Sequence, residues 1–248
     1  MSKIRTLSNA PIIEALVDIQ VQLPADISKQ HIDDLKNELS DSYPESEDLF
    51  SLSAQIKIEP SGEAPSSEHQ QKYTGCRLRS SDKSHIVQLR TNGLSVSRLN
   101  PYVTWDDLES NATELWNLYV KHLRPEFITR VALRYINRIE VPLPVSDLHE
   151  YLVTPPIVPS GLPNRISEFV NRIVIHDQNI DARAIIIQAF EGVANDKTLP
   201  IILDIDVFKE GRLETDDKDI WNKFTQLRDL KNQIFFESLT EKTIGMYE

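Results

Sequence analysis

The chain has 248 residues, 40% hydrophobic and 26% charged, with a formal charge of −11. That length holds one large domain or two small ones around a substantial core, in an ordinary globular composition, and the acidic balance opposes nonspecific attachment to DNA, RNA or anionic membranes. The single cysteine, Cys76, excludes an intramolecular disulfide, and apolar runs such as residues 184–187 are far too short to span a bilayer.

Residues 11–22 alternate, with Ile13, Ala15, Val17, Ile19 and Val21 on one face and Glu14, Asp18, Gln20 and Gln22 on the other, which predicts a half-buried strand. The basic start of the chain has no apolar region behind it, because Asn9, Pro11, Glu14 and Asp18 intervene, so a cytoplasmic protein is expected. Ser28 can cap a helix carrying Ile32, Leu35 and Leu39 at helical spacing, ending before Pro44. A short strand over residues 52–58 precedes residues 60–71, rich in Pro, Ser, Gly and Glu, which read as an exposed mobile loop.

Three strands follow, near residues 73–79, 84–90 and 94–99. The last two flank Asn92-Gly93, a tight-hairpin signal because both residues tolerate positive φ. Thr104 opens a helix whose Trp105, Leu108, Ala112, Leu115, Trp116, Tyr119 and Leu123 form one wide apolar stripe, which lays it on a sheet. Residues 130–141 then make the longest strand-like segment. Val131, Leu133, Tyr135, Asn137 and Ile139 point one way, and Arg130, Arg134 and Arg138 point the other. A short helical piece near residues 145–152 and a proline cluster lead to strands near residues 167–175, 183–190 and 200–208. A final helix is predicted over residues 215–239, with Trp221 on its apolar side.

This order predicts an α+β fold of two β-α-β4-α halves, residues 1–125 and 126–248, forming one compact domain by internal duplication. Joined edge to edge, the halves would give one curved antiparallel sheet with two long helices on one face, an architecture that resembles the duplicated TATA-binding-protein-like fold. The alternative is a helix-grip fold, one curved sheet around a long C-terminal helix. In the duplicated arrangement residues 11–22 and 130–141 lie side by side, setting Glu14 and Asp18 against Arg130, Arg134 and Arg138.

Three segments, Asn9-Ala10-Pro11-Ile12-Ile13-Glu14-Ala15, Asn100-Pro101-Tyr102 with Trp105, and Arg134-Tyr135-Ile136-Asn137-Arg138-Ile139, resemble a family of uncharacterised bacterial proteins of about this length. That resemblance covers essentially the whole chain and transfers no catalytic residue. The family is sporadically distributed, which implies mobile-element, defence or toxin–antitoxin surroundings.

An arginine row must be solvated, paired with carboxylates or occupied by an anion, because an unpaired buried guanidinium costs several kcal/mol. Arg130, Arg134 and Arg138, with Glu14 and Asp18, therefore make either a set of cross-strand ion pairs or an anion site. Asp204 and Asp206 project from one strand face together and could serve a divalent metal, but no third ligand stands at a recognisable spacing; pairing with the arginines or facing water is the alternative. The six histidines make no metal motif, and Ser84 and His85, adjacent along a strand, should point to opposite faces, wrong for a nucleophile and its base. With seven glycines and no phosphate loop, a dinucleotide fold is excluded, and no cofactor is implied. The function expected is a non-enzymatic cytosolic binding protein for a protein partner or a small anionic ligand, with no catalytic residues and no resident metal. The alternatives are a metal-dependent phosphoesterase or nuclease built on Asp204 and Asp206, and a nucleic-acid-binding saddle, which the charge opposes.

Overall fold

The two alternating segments do pair. A computed structural model describes residues 5, 7–57, 66–163, 166–190, 192, 197–215 and 220–248. Its elements are β1 (Ile12–Gln22), α1 (Lys29–Glu38), β2 (Glu45–Lys57), β3 (Ser66–Arg79), β4 (His85–Arg90), β5 (Gly93–Leu99), α2 (Trp105–Leu123) and β6 (Phe127–Pro142). After a 3-10 turn at Leu148–Glu150 come β7 (Phe169–Asp177), β8 (Ala182–Phe190), β9 (Thr198–Leu213), α3 (Ile220–Ser238) and α4 (Glu241–Gly245). The nine strands form one antiparallel sheet in the order β2-β3-β4-β5-β1-β6-β9-β8-β7, so the fold is α+β. At its centre β1 runs antiparallel to β6, with Val17 opposite Leu133 and Asp18 opposite Ala132.

Register carries the alternation across the sheet. Val96, Val17, Leu133 and Val207 stand in one lateral row, and all are buried with the stripes of α2 and α3 in a single core. Helix α2 packs on β5 and β1, and α3 on β9 and β6, so both long helices cover the same face. The first turn of α2 is fixed as its sequence suggests, with Thr104 Oγ1 accepting from the Asp107 amide at 3.1 Å and Asp106 and Asp107 at the positive end of the helix dipole. Cys76 is fully buried, and burial raises its thiol pKa to about 11, as suits a small apolar core residue.

Several boundaries differ from the sequence reading. Strand β2 begins at Glu45, and residues 66–71, expected in a loop, belong to β3; residues 60–65 of that expected loop, and residue 58 of the expected strand, lie outside the described residues. The β2–β3 ribbon extends through backbone pairing, which needs no apolar period to hold it. The turn between β4 and β5 is Thr91-Asn92, and only Gly93 takes positive φ. Gly93 already stands in β5, where a Cβ would lie 2.2 Å from the Ile19 carbonyl oxygen of β1. Close approach of two backbones fixes this glycine as much as the turn does.

Trp116 is buried, whereas Trp221 is only half-buried at the start of α3. Trp116→Ala should cost about 3–5 kcal/mol in denaturant unfolding, and Trp221→Ala roughly half that.

Candidate functional site

On the face without helices, the arginine row meets carboxylates from both flanking strands. Arg130, 17% exposed, donates to Asp18 Oδ1 at 3.3 Å and to Asp206 Oδ2 at 2.9 Å. To reach Asp206 it passes over the Phe208 ring, 4.5 Å from its centroid, and the small Ala132 opposite Phe208 leaves the room. Asp18 takes a second guanidinium from Arg90 on β4, between which β5 presents only Gly93 and Ser95. Arg134 grips Asp204 with two bonds, Nε at 2.8 Å and Nη2 at 2.5 Å. Arg138 pairs with Glu140 two residues along its own strand at 3.0 Å. Glu14 lies on the same face and adds only longer-range charge to Arg134. The strand register thus pairs Asp18 with Arg130, while Arg134 and Arg138 take Asp204 and Glu140 in place of Glu14.

The bond to Asp204 raises the Arg134 pKa, and burial pushes the Asp206 carboxyl up, with Arg130 and Arg134 reversing this only in part. Asp204 and Asp206 do share a face, but each is held by an arginine. Among the described residues no three His, Cys, Asp or Glu side chains come together in a way that would hold a metal ion.

Ser84 and His85 do not point apart. Ser84 precedes the first residue of β4, so strand alternation does not govern it, and its Oγ lies 2.9 Å from His85 Nδ1. That oxygen also donates to Asp82 Oδ2 at 2.6 Å and accepts from Arg98 Nη1 at 2.6 Å. Its proton and a lone pair are committed, and burial followed by the Arg98 charge lowers the His85 pKa. The group reads as a hydrogen-bonded brace between β3, β4 and β5.

A different arrangement occupies the helix-covered side. Between α3, β6, the first turn of α2 and the segment before β1 lies a cleft of about 340 Å³. Its lining brings together the segments singled out in the sequence: Ala10 and Ile12, Tyr102 and Trp105, Tyr135 and Asn137. From α3 come Arg228, Lys231 and Asn232, at the spacing that places them on one side of a helix. Lys231, 8% exposed, occupies a position in the buried stripe of α3. Its Nζ donates to Asn232 Oδ1 at 2.6 Å and lies 3.9 Å from the centroid of the Tyr135 ring, and no carboxylate pairs with it among the described residues. Burial, followed by the Arg228 charge, lowers its pKa to about 7, although the aromatic face beneath works the other way. The Arg228 guanidinium rests over the Trp105 ring at 5.7 Å. The Tyr102 and Tyr135 hydroxyls meet at 3.0 Å, both kept protonated by burial. Asn137 is buried with Nδ2 donating to the Leu203 carbonyl at 2.9 Å. Arg5, also on the lining, is satisfied by Glu241 and Glu248.

None of Lys231, Arg228, Tyr102 and Asn232 was singled out as a site residue from the sequence. The available signal was a lysine four residues after Leu227 and four before Phe235, an inward position on an apolar stripe. Compared with known proteins, the chain matches no family model and no curated protein. Among the described residues no helix is long and apolar enough to cross a membrane.

Two predictions separate the faces. Arg130→Ala leaves Asp18 and Asp206 without their shared cation and should cost about 3–5 kcal/mol, whereas Arg138→Ala should cost at most about 1 kcal/mol by denaturant titration. Lys231 carries its proton up to the ordinary lysine value of 10.5 when unfolded but only to about 7 when folded. Between those values the unfolded chain binds more protons, so stability rises with pH, by up to about 1.4 kcal/mol per unit. In denaturant melts at pH 6.5 to 9.5, the wild-type slope should exceed that of Lys231→Met.

Proposed function

We propose that this is a non-enzymatic cytosolic binding protein whose ligand is a small anion held in the cleft beside Lys231 and Arg228. The observation that carries this reading is a buried lysine without a carboxylate partner among the described residues, lining a cleft of ligand size next to a second cation. On the opposite face the arginines already have carboxylates, which leaves less unmet charge for an anion there and argues equally against a nucleic-acid saddle and a metal-dependent phosphoesterase. We propose further that the sheet is a duplicated, TATA-binding-protein-like arrangement. It is supported by the strand order, in which β1-β5-β4-β3 and β6-β9-β8-β7 run outward from the centre, each with a long helix lying on its first two strands. Defence or toxin–antitoxin surroundings rest on the family resemblance alone.

A protein partner is the second reading. It is favoured by β7, an outer strand that exposes Val170, Ile173, Val174 and Ile175 and so offers an apolar edge to an added strand.

Calorimetric titration with phosphate, citrate and pyruvate tests the anion reading. At least one should bind to the wild type, with affinity reduced about ten- to a hundredfold in Lys231→Met and Arg228→Gln and unchanged in Arg134→Ala. Loss in Arg134→Ala alone would move the site to the open face, and no binding by any of the three would end the reading.

A further inference from the structure

A lysine buried without a countercharge is a nucleophile as well as a cation, because its lone pair is free in a fraction of molecules at neutral pH. Lys231 is also oriented. Asn232 Oδ1 holds Nζ at 2.6 Å, the Tyr135 ring supports it at 3.9 Å, and the amine belongs to the lining of the cleft. Arg228 stands three residues earlier on the same side of α3, its guanidinium over Trp105, and a guanidinium fork matches a carboxylate. Neighbours at that spacing suit a compact ligand whose carboxylate and electrophilic carbon are adjacent. Tyr102 and Tyr135 add two protonated hydroxyls, while Asp106 is the carboxylate that also lines the cleft and Glu109 lies within the field of Arg228. Arg5 is occupied by its glutamates.

We infer that Lys231 captures a small α-keto acid as an imine on Nζ, with Arg228 holding the carboxylate. This rests on the reading of the cleft as an anion site and names its ligand class. In the step, the Nζ lone pair attacks the keto carbon and the carbonyl π pair moves to oxygen. The resulting carbinolamine loses that oxygen as water with the two amine hydrogens, forming the C=N bond. Nothing is oxidised or reduced, so capture is reversible and needs no co-reactant. One O–H of the tyrosine pair bonds the other ring's hydroxyl, and the remaining one is a donor for the departing oxygen.

Reductive trapping tests the inference. Wild-type protein is incubated with pyruvate and sodium cyanoborohydride between pH 6 and 9, then analysed by intact mass and peptide mapping. One reduced pyruvate should appear on Lys231, at a rate that levels off above about pH 7 while exposed lysines keep gaining toward 10.5. Arg228→Gln should slow trapping of pyruvate at least tenfold more than it slows trapping of acetone, which lacks the carboxylate and reports only the change in Lys231 basicity. Lys231→Met should lose the adduct; because mapping of the wild type locates it directly, the result stands even if that variant folds poorly. Adducts spread over surface lysines without preference for Lys231, or labelling indifferent to Arg228, would overturn the imine. Titration with phosphate separates the two levels: binding that depends on Lys231 without any imine leaves the anion site standing, and absence of both removes it.

Discussion

The pairing of β1 with β6 sets the position of every other element, because it is the one seam where the first five strands meet the last four. Its register is held from both sides. On one face Ala15, Val17 and Ile19 lie with Val131, Leu133 and Tyr135 beneath the helices, each large apolar side chain contributing roughly 1.5–3 kcal/mol by burial. On the other, Asp18 and Arg130 meet across the same seam. A slip of one residue would turn Arg130, Arg134 and Arg138 into the core and send Leu133 and Tyr135 to water. Burial therefore supplies most of the stability, while the ion pairs, individually weaker, penalise the wrong register.

The same seam explains why small residues recur on the ionic face. Arg130 does not bond its direct cross-strand neighbour Glu210; it leans along the sheet past Phe208 to Asp206, over the space that Ala132 leaves. Arg90 likewise reaches Asp18 across a strand that offers only Gly93 and Ser95. A larger residue at position 132 or 95 would obstruct a guanidinium. The network thus depends on residues that carry no charge as much as on those that do.

Period-two and period-3.6 patterns made β1, β6 and α2 legible from the sequence, because each has one face that must be buried. Strands β2 and β3 were legible only in part, since their outer stretches of Ser, Glu, Gln and Lys pair through the backbone and impose no pattern on side chains. Which carboxylate serves which arginine was not legible either. Asp18, Asp204 and Asp206 share a face by parity alone, but their assignment depends on lateral register and on the space at Ala132. Ser84 and His85 were misread because alternation was applied one residue before the strand begins. The cleft escaped because its parts come from four distant places in the chain, and no local spacing joins Tyr102, Tyr135 and Lys231.

Lys231 is the position where the local rule is broken. Every neighbour in the α3 stripe, Phe224, Leu227, Ile234 and Phe235, is apolar and buried, and a leucine there would satisfy the helix, the core and the sheet. A lysine there instead has its pKa lowered to about 7 by burial, which works against stability. The aromatic face of Tyr135 and the oxygen of Asn232 recover part of this, and neither neutralises the charge. Real proteins break such rules at functional or strained sites and compensate for the cost elsewhere in the fold. For the anion site proposed above, a chain of net charge −11 supplies little long-range attraction, so selection would fall to contacts made inside the cleft, where desolvation strengthens each one.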